Sequence, residues 1–257
     1  MAPRAADRQR AAQPRAVPRL RQSRPRGASL SSVLICSGLD PSGRAGALAD
    51  LWAATRLKAG ARLVITALTA QGKRFALQSN ARFLKPQLDS ALSNGPVGAV
   101  KLGMIPDRAS LAVLVGTLER LRVPVVVDPV TFSSRGERLS KLRPADFLRL
   151  AGHFSVITPN AAEAEWLGGP RVLLDSGYRA VVVKGGETGV DRLFTAEGER
   201  AFRGRPLRRT PSHRGTGCRF ATAVACGLAA GAPIGDATVA AKRLVRKFLS
   251  RPILIGP

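Results

Sequence analysis

Residues 97–130, VGAVKLGMIPDRASLAVLVGTLERLRVPVVVDPV, decide the fold of this chain. The apolar runs at the two ends, residues 97–104 and 123–130, are β-prone and end in turn-forming or polar residues, which favours strands. Residues 108–122 between them are a helix candidate. Strands that are apolar throughout, with helices as their connections, are typical of a parallel sheet covered on both faces.

The same alternation of strand and helix candidates continues on both sides of this stretch and begins at residue 31. Further strand candidates are SSVLICSG at 31–38, ARLVITALTA at 61–70, FSVITPN at 154–160 and YRAVVVKGG at 178–186. Further helix candidates are residues 45–59, 85–93, 144–151, 218–230 and 236–250, and residues 193–209 resemble a hairpin followed by an extended strand. The pattern predicts a doubly wound α/β sandwich of three layers, forming one domain over residues 31–257.

Residues 1–30 differ in composition from the rest of the chain. They hold eight arginines against one acidic residue, Asp7, and several prolines with few apolar residues, so we expect a disordered extension. The whole chain carries a formal net charge of +24, a value that normally points to a polyanionic partner. Aromatic residues are only 5% of the chain and none lies in the extension, so base stacking has few candidates and nucleic-acid binding is disfavoured.

The sequence also disfavours two further classes of protein, namely membrane-bound or secreted proteins and zinc proteins. No apolar run reaches the roughly 18 residues of a membrane span, and the N-terminus lacks the apolar stretch of a secretory signal, so we expect a cytoplasmic protein without a membrane partner. The three cysteines, Cys36, Cys218 and Cys226, show no zinc-ligand spacing, and an odd number suits a reducing compartment.

Polar and turn-forming residues follow each candidate strand of the sheet. The segments are SGLDPSGRAG, Gln71, KLGM, DPV, TPNAAEAE and KGGE. Each of them alone could simply form a turn. Because ligands bind at the carboxyl ends of strands in doubly wound sheets, the six together predict the rim of a site.

The segment RGTGC, residues 214–218, enters the helix candidate at 218–230. First-turn amides of a helix have no intrahelical partners, and glycines let several of them point at one anion. Cys218 stands where a proton acceptor for phosphoryl transfer would stand, and a helix N-terminus beside Arg214 predicts a lowered thiol pKa. The alternative is that Cys218 is an inert, buried small residue.

Seven motifs in this order resemble the hydroxymethylpyrimidine and hydroxymethylpyrimidine-phosphate kinases of thiamin biosynthesis, within the ribokinase-like superfamily. They are SGLDPSGRAGALADL, ITALTAQ, VKLGM, VDPV, ITPNAAEAE, VVVKGGE and GTGC, and the resemblance covers residues 31 to about 250. The resemblance implies ATP-dependent phosphorylation of 4-amino-5-hydroxymethyl-2-methylpyrimidine and of its monophosphate, with Mg²⁺, by a homodimer. The cysteine of GTGC distinguishes this subfamily from the sugar kinases of the superfamily, which have aspartate there.

The resemblance also assigns roles to individual residues. It implies an anion hole at Gly215, Thr216 and Gly217, with Cys218 as the base. It implies a pyrimidine pocket lined by Gly38, Ala45, Gln71, Met104 and Val130, with the Gln71 amide on the edge of the ring. It implies nucleotide contacts from Asn160, Lys184 and Arg214, and a magnesium site that includes Asp128 and Glu163, with Asn160 beside it. Asn160 is at the same time a candidate helix N-cap.

The sequence departs from the family pattern around the site. Where the family usually has glycine, histidine, glutamine and histidine, this chain has Arg44, Arg214, Leu48 and Glu187, respectively. The stretch at residues 167–180 is also shorter than is usual in the family. Two alternatives therefore stay open. One is a kinase for a related ring alcohol such as pyridoxal, and the other is a catalytically impaired descendant that binds a pyrimidine for regulation.

Overall fold

The computed structural model describes residues 32–71, 75–133, 136–153, 155–206 and 214–250. These residues form one sheet of nine strands in the order β3-β2-β1-β4-β5-β6-β7-β8-β9. The pairs β2–β3, β7–β8 and β8–β9 are antiparallel, and the others are parallel. The predicted extension at residues 1–30 lies outside the described residues.

The strands and helices have the following bounds. The strands are β1 Ser32–Leu39, β2 Ala61–Gln71, β3 Phe75–Ser79, β4 Val97–Leu102, β5 Val125–Val127, β6 Val156–Ile157, β7 Ala180–Val183, β8 Asp191–Thr195 and β9 Gly198–Phe202. The helices are α1 Gly46–Arg56, α2 Ala81–Ser93, α3 Arg108–Leu118, α4 Pro144–Arg149, α5 Ala161–Trp166, α6 Gly169–Asp175, α7 Thr216–Ala229 and α8 Ile234–Ser250.

Alternate residues of the central strands face two separate apolar cores. In β1, Leu34 and Cys36 belong to the core under α2, α3 and α4, whereas Val33 and Ile35 belong to the core under α1, α7 and α8. All four side chains are fully buried. Because side chains of a strand alternate between faces, a run without polar residues requires a cover on both sides. The three-layer α/β sandwich predicted from the sequence is confirmed.

The chain changes direction across the sheet between β1 and β4. From β1 it proceeds through α1 to β2 and β3 on one side, and from β4 it proceeds through β5 and β6 to β7 on the other. The carboxyl ends of these parallel strands lie at one edge, where a doubly wound sheet opens a crevice at such a switch point. α7 packs against α1, β1, β4 and β5, so its N-terminus reaches this edge.

Several predicted bounds differ from the structure. α7 begins at Thr216 rather than at Cys218, so the anion-hole residues belong to its first turn. α1 and α3 end earlier than predicted, at Arg56 and Leu118, and α2 begins four residues earlier, at Ala81. The hairpin expected within 193–209 is present as β8 and β9, but residues 203–206 form no strand, and residues 207–209 lie outside the described residues. In the described part of the chain no helix is long and apolar enough to span a membrane.

Candidate active site

A cavity of about 550 Å³ opens at the carboxyl ends of β1, β4, β5, β6 and β7. Every site residue predicted from the sequence lines it except Gln71, whose backbone ends β2 and whose side chain lies outside the described atoms. The predicted residues on its wall are Gly38, Ala45, Met104, Asp128, Val130, Asn160, Glu163, Lys184, Arg214, Gly215, Thr216, Gly217 and Cys218. The topology therefore gathers residues spread over most of the chain into one site.

The wall of the cavity near the switch point is apolar. Met104 packs in a small buried cluster with Ala67 and Leu139, and Val130 is packed against it. Gly38 lies at the end of β1 against Met104, whose methyl group occupies the space that a Cβ at residue 38 would need. This narrow apolar wall suits one face of a flat ring.

The anion hole forms where the chain turns into α7. Gly215 is the N-cap residue with φ +72°, a conformation that glycine adopts at no steric cost. A Cβ at residue 215 would lie 2.3 Å from the carbonyl oxygen of Arg44, so the turn also needs glycine to lie against the segment before α1. The first-turn amides of α7 thus line the cavity, at the end of the helix where partial positive charge accumulates.

Lys184 and Asp128 form an ion pair beside this turn. Lys184 Nζ donates to Asp128 Oδ1 over 2.6 Å, and a Cβ at Gly217 would lie only 3.2 Å from that Nζ. Burial alone would lower the pKa of Lys184, but the charges of Asp128 and Glu163 outweigh burial and raise it, so the amine stays protonated. The amine can therefore stabilise negative charge that reaches the first turn of α7.

Oxygen donors next to Lys184 fit a hydrated divalent cation. Asp128 Oδ2 is buried and has no hydrogen-bond partner among the described residues. Glu163 Oε2 lies 3.9 Å from Lys184 Nζ and accepts from the backbone N–H of Asn160, while the Asn160 side chain accepts from the N–H of Glu163. Asn160 is therefore the N-cap of α5, as the sequence predicted for its local role. Mg²⁺ binds through one or two carboxylates together with phosphates and water, so this donor set suits it.

Cys218 lies in the first turn of α7, and the prediction that its pKa is lowered was wrong. Burial raises the pKa of the thiol to about 12; Lys101 lowers it, whereas Asp50 and Asp128 add to the increase. The backbone N–H of Gly46 donates to the sulfur but does not offset burial. The helix N-terminus and Arg214 were expected to lower the pKa, but desolvation by burial is the larger effect.

A buried charged network beneath Cys218 was missed at the sequence level. Lys101 Nζ donates to Asp50 Oδ2 over 2.7 Å, and Thr222 Oγ1 donates to Asp50 Oδ1 over 2.8 Å. Both charged side chains are fully buried. Burial lowers the pKa of Lys101, but the charge of Asp50 outweighs burial and keeps the amine protonated. Lys101 lies inside the VKLGM motif, and a charged residue within an otherwise apolar strand was the available signal.

Arg219 connects the two segments that border the site. Its Nη1 donates to the carbonyl oxygens of Arg44, over 3.1 Å, and of Arg214, over 3.0 Å. The guanidinium is packed over the rings of Phe248 and Trp52, with 3.9 Å and 5.0 Å from Cζ to the ring centroids. The residue is 1% exposed, so it acts as an internal tether between the segment before α1 and the turn before α7.

Two other groups on the cavity wall were not predicted. Lys242 of α8 donates to Asp191 Oδ2 and to the carbonyl oxygen of Gly189, over 2.8 Å and 2.7 Å. Asp40, at the end of β1, lies 3.5 Å from Arg214 Nη2. Asp40 stands in the SGLDPSGRAG rim segment, which gave a signal, whereas nothing in the sequence around Lys242 distinguished it from a solvated helix residue.

Comparison with known proteins gives close relatives over most of the chain. A family model described as phosphomethylpyrimidine kinase matches residues 40–257. A hydroxymethylpyrimidine/phosphomethylpyrimidine kinase of Rhizobium meliloti is 34% identical over 249 residues, which cover 85% of this chain and 90% of the relative. A crystal structure of phosphomethylpyrimidine kinase from Clostridium difficile matches with a TM-score of 0.71 and 28% identity, covering 85% of this chain and 99% of that one. A Bacillus subtilis pyridoxal kinase, solved as an ADP complex, matches with a TM-score of 0.75 and 28% identity over 84% of this chain and 90% of that one.

Proposed function

This chain belongs to the phosphomethylpyrimidine kinase family, and we propose from that membership that it transfers the γ-phosphoryl group of ATP to 4-amino-5-hydroxymethyl-2-methylpyrimidine and to its monophosphate. The solved relatives confirm the ribokinase-like fold class that the motifs imply. The structural observation that supports the proposal is the position of the α7 first turn, with Lys184 and Asp128 beside it and an apolar wall next to it, in one cavity.

In the first reaction the hydroxyl oxygen of the acceptor attacks the γ-phosphorus of ATP. A bond forms between these two atoms, the bond from the γ-phosphorus to the bridging oxygen breaks, and ADP leaves with that electron pair. The amides of Thr216, Gly217 and Cys218 and the amine of Lys184 stabilise the charge on the transferred group. The hydroxyl proton passes to the thiolate form of Cys218, which is a minor form because burial raises the thiol pKa to about 12, although the positive charge of Lys101 opposes that rise.

The nucleotide phosphates and their cation lie, in this proposal, on the side of the cavity formed by β5, β6 and β7. Asp128 and Glu163 would hold Mg²⁺, and Asn160 fixes the carboxylate of Glu163 through the capping contacts. A bound Mg²⁺ neutralises part of the charge of the phosphates. Oδ2 of Asp128 supports this assignment, because it is buried without a hydrogen-bond partner among the described residues and a bound cation would satisfy it.

A second candidate is a kinase for pyridoxal. The observation that favours it is the likeness to the Bacillus subtilis pyridoxal kinase, which has a TM-score of 0.75 against this chain. Both acceptors are flat heteroaromatic rings with a hydroxymethyl group, so the apolar wall at Met104 and Val130 does not by itself separate them.

The test is incubation of the purified chain with Mg²⁺, ATP and either ring alcohol, with products resolved by mass. We expect the monophosphate and the diphosphate of the pyrimidine as products. One ADP should form for each phosphoryl group that is transferred. Turnover of pyridoxal without turnover of the pyrimidine would replace the substrate assignment and leave the fold unchanged. Saturable binding of the pyrimidine without ADP formation would identify a binding descendant instead.

For the assembly we propose a homodimer. β3 forms one edge of the sheet, and the exposed apolar side chains Leu68 and Phe75 lie on the β2–β3 hairpin at that edge. Burial of such side chains in a second copy would remove apolar surface from water. Light scattering should give about twice the 27.1 kDa of one chain, and a mass of one chain would contradict the proposal.

A further inference from the structure

Arg214 lies on the cavity wall, where the chain enters α7. It directly precedes the N-cap of α7, its side chain is 11% exposed, and its Nη2 lies 3.5 Å from Oδ2 of Asp40. Gly38 lies at the end of β1, and Asp40 and Ala45 follow that strand, whereas Lys184 follows β7 on the opposite side of the anion hole. The guanidinium therefore borders the part of the cavity where the acceptor lies in the proposed function.

The contact between Arg214 and Asp40 is longer than the other contacts of Asp40. Asp40 already accepts from the N–H and the hydroxyl of Ser42, over 3.0 Å and 2.8 Å. Nη2 of Arg214 lies 3.5 Å from Oδ2 of Asp40, farther than the two donors of Ser42. A planar guanidinium matches the geometry of a phosphate group and can bind it through two parallel hydrogen bonds.

The backbone of Arg214 is held in place by a second arginine. Arg219 donates to its carbonyl oxygen and to that of Arg44, and Arg219 itself is fixed between the rings of Trp52 and Phe248. The Arg214 side chain therefore starts from a backbone position that is tied to α1, α7 and α8. A pre-positioned cation loses less entropy when it binds an anion.

The two acceptors of the proposed function differ mainly in the charge of the group that receives the phosphoryl group. The alcohol carries none, whereas a phosphate monoester carries about −1.5 to −2 near pH 7. Lys184 lies next to two carboxylates, Asp128 and Glu163, which offset its charge. A second cation on the acceptor side is what a dianionic acceptor needs next to the phosphates of ATP.

We propose that Arg214 binds the phosphate of the monophosphate acceptor and makes that monophosphate the preferred acceptor of this chain; the inference rests on the proposed function. In this reaction an oxygen of the acceptor phosphate attacks the γ-phosphorus, the bond to the bridging oxygen of ATP breaks, and ADP leaves. The attacking oxygen is already deprotonated, so no proton has to be removed. Arg214 contacts the acceptor phosphate and thereby acts on acceptor specificity.

The experiment compares wild type with Arg214→Gln, Arg214→Lys and the control Arg243→Gln, an exposed residue of α8. Steady-state kinetics are measured with the alcohol and with the monophosphate. Arg214→Gln should lower kcat/KM for the monophosphate about 10- to 100-fold, mainly through KM, because a charge-assisted contact is lost. The alcohol should change less than about threefold, and Arg214→Lys should recover part of the loss.

Calorimetric titration without ATP gives an independent reading. Arg214→Gln should weaken binding of the monophosphate by a similar factor and leave binding of the alcohol unchanged, with Arg243→Gln equal to wild type. Equal losses for both acceptors, or a larger loss for the alcohol, would overturn the inference. Wild type that phosphorylates neither acceptor would overturn the proposed function, and the calorimetric comparison would still decide the role of Arg214.

Discussion

Nζ of Lys184 lies 2.6 Å from Oδ1 of Asp128, although 56 residues separate them in the chain and a third strand, β6, lies between the strands that they follow. Asp128 is 1% exposed, and Lys184 is its described ion-pair partner. The pair therefore contributes to the fold as well as to the proposed chemistry.

Lys184→Met should lower kcat about 10²- to 10³-fold, since a donor to the transferred group is lost. It should also lower the free energy of unfolding by about 3 kcal/mol, because Asp128 is left as a buried charge without a counter-ion. Activity assays and urea unfolding measure the two effects. Adding Asp128→Asn to Lys184→Met should restore the stability and not the activity; recovery of activity in the double variant would contradict the role of Lys184.

The Gly217→Ala variant distinguishes an effect on the anion hole from an effect on the stability of α7. A Cβ at residue 217 would lie 3.2 Å from Lys184 Nζ, the amine that stabilises the transferred group in the proposed function. We expect kcat to fall by at least about tenfold, while stability changes by at most ~1 kcal/mol, since alanine favours the helix. The matched control is Gly116→Ala in α3, where nothing lies within 4 Å of the new Cβ. That control should keep full activity, and equal activity of the two variants would contradict the account.

The raised pKa of the Cys218 thiol is directly measurable. With a pKa of about 12, the thiolate fraction at pH 8 is roughly 10³-fold below that of an unperturbed cysteine, so alkylation by iodoacetamide should be slower by about that factor. The rate should increase about tenfold per pH unit between pH 8 and 10. Peptide mass spectrometry follows each cysteine, and the urea-unfolded chain is the control for full reactivity. Fast alkylation of native Cys218 at pH 7 would contradict the raised pKa and support the lowered pKa that the sequence predicted.

Cys218→Ala tests the proton acceptor. The alcohol reaction should lose about 10²- to 10⁴-fold, the usual contribution of a general base, and the monophosphate reaction should lose less because its acceptor is already deprotonated. Since the raised pKa means that thiolate increases with pH, the alcohol rate of wild type should rise through neutral pH, and this rise should be absent in the variant. Unchanged rates with both acceptors would show that Cys218 only packs at the anion hole.

The central strands and the rim of the site were predictable because local sequence determines them. Apolar runs of four or more residues end in Gly, Pro or Asp at β1, β4 and β7, and these ends carry the site residues. β3 and α6 were not predicted, and α5 was anticipated only through its N-cap Asn160, since these elements span only five to seven residues and have little periodicity. The start of α2 was misplaced because Pro86, a typical first-turn residue, lies inside the helix.

The electrostatics of the site could not be read from sequence because they depend on tertiary contacts. Burial raises the pKa of the Cys218 thiol, and Lys101 of β4, distant in the chain, lowers it in part. Arg219 resembles an ordinary exposed helix residue in the sequence, and only the approach of Trp52 from α1 and Phe248 from α8 buries it. Such contacts between distant segments decide burial, and burial decides the pKa of the thiol.

The most direct measurement of the central claim is kcat/KM for the pyrimidine acceptors and for pyridoxal, determined in parallel with the same preparation, Mg²⁺ and ATP. The account predicts a higher kcat/KM for the pyrimidine alcohol and its monophosphate than for pyridoxal, with products of the expected mass. A higher kcat/KM for pyridoxal, or ADP formation with no phosphorylated pyrimidine, would contradict it.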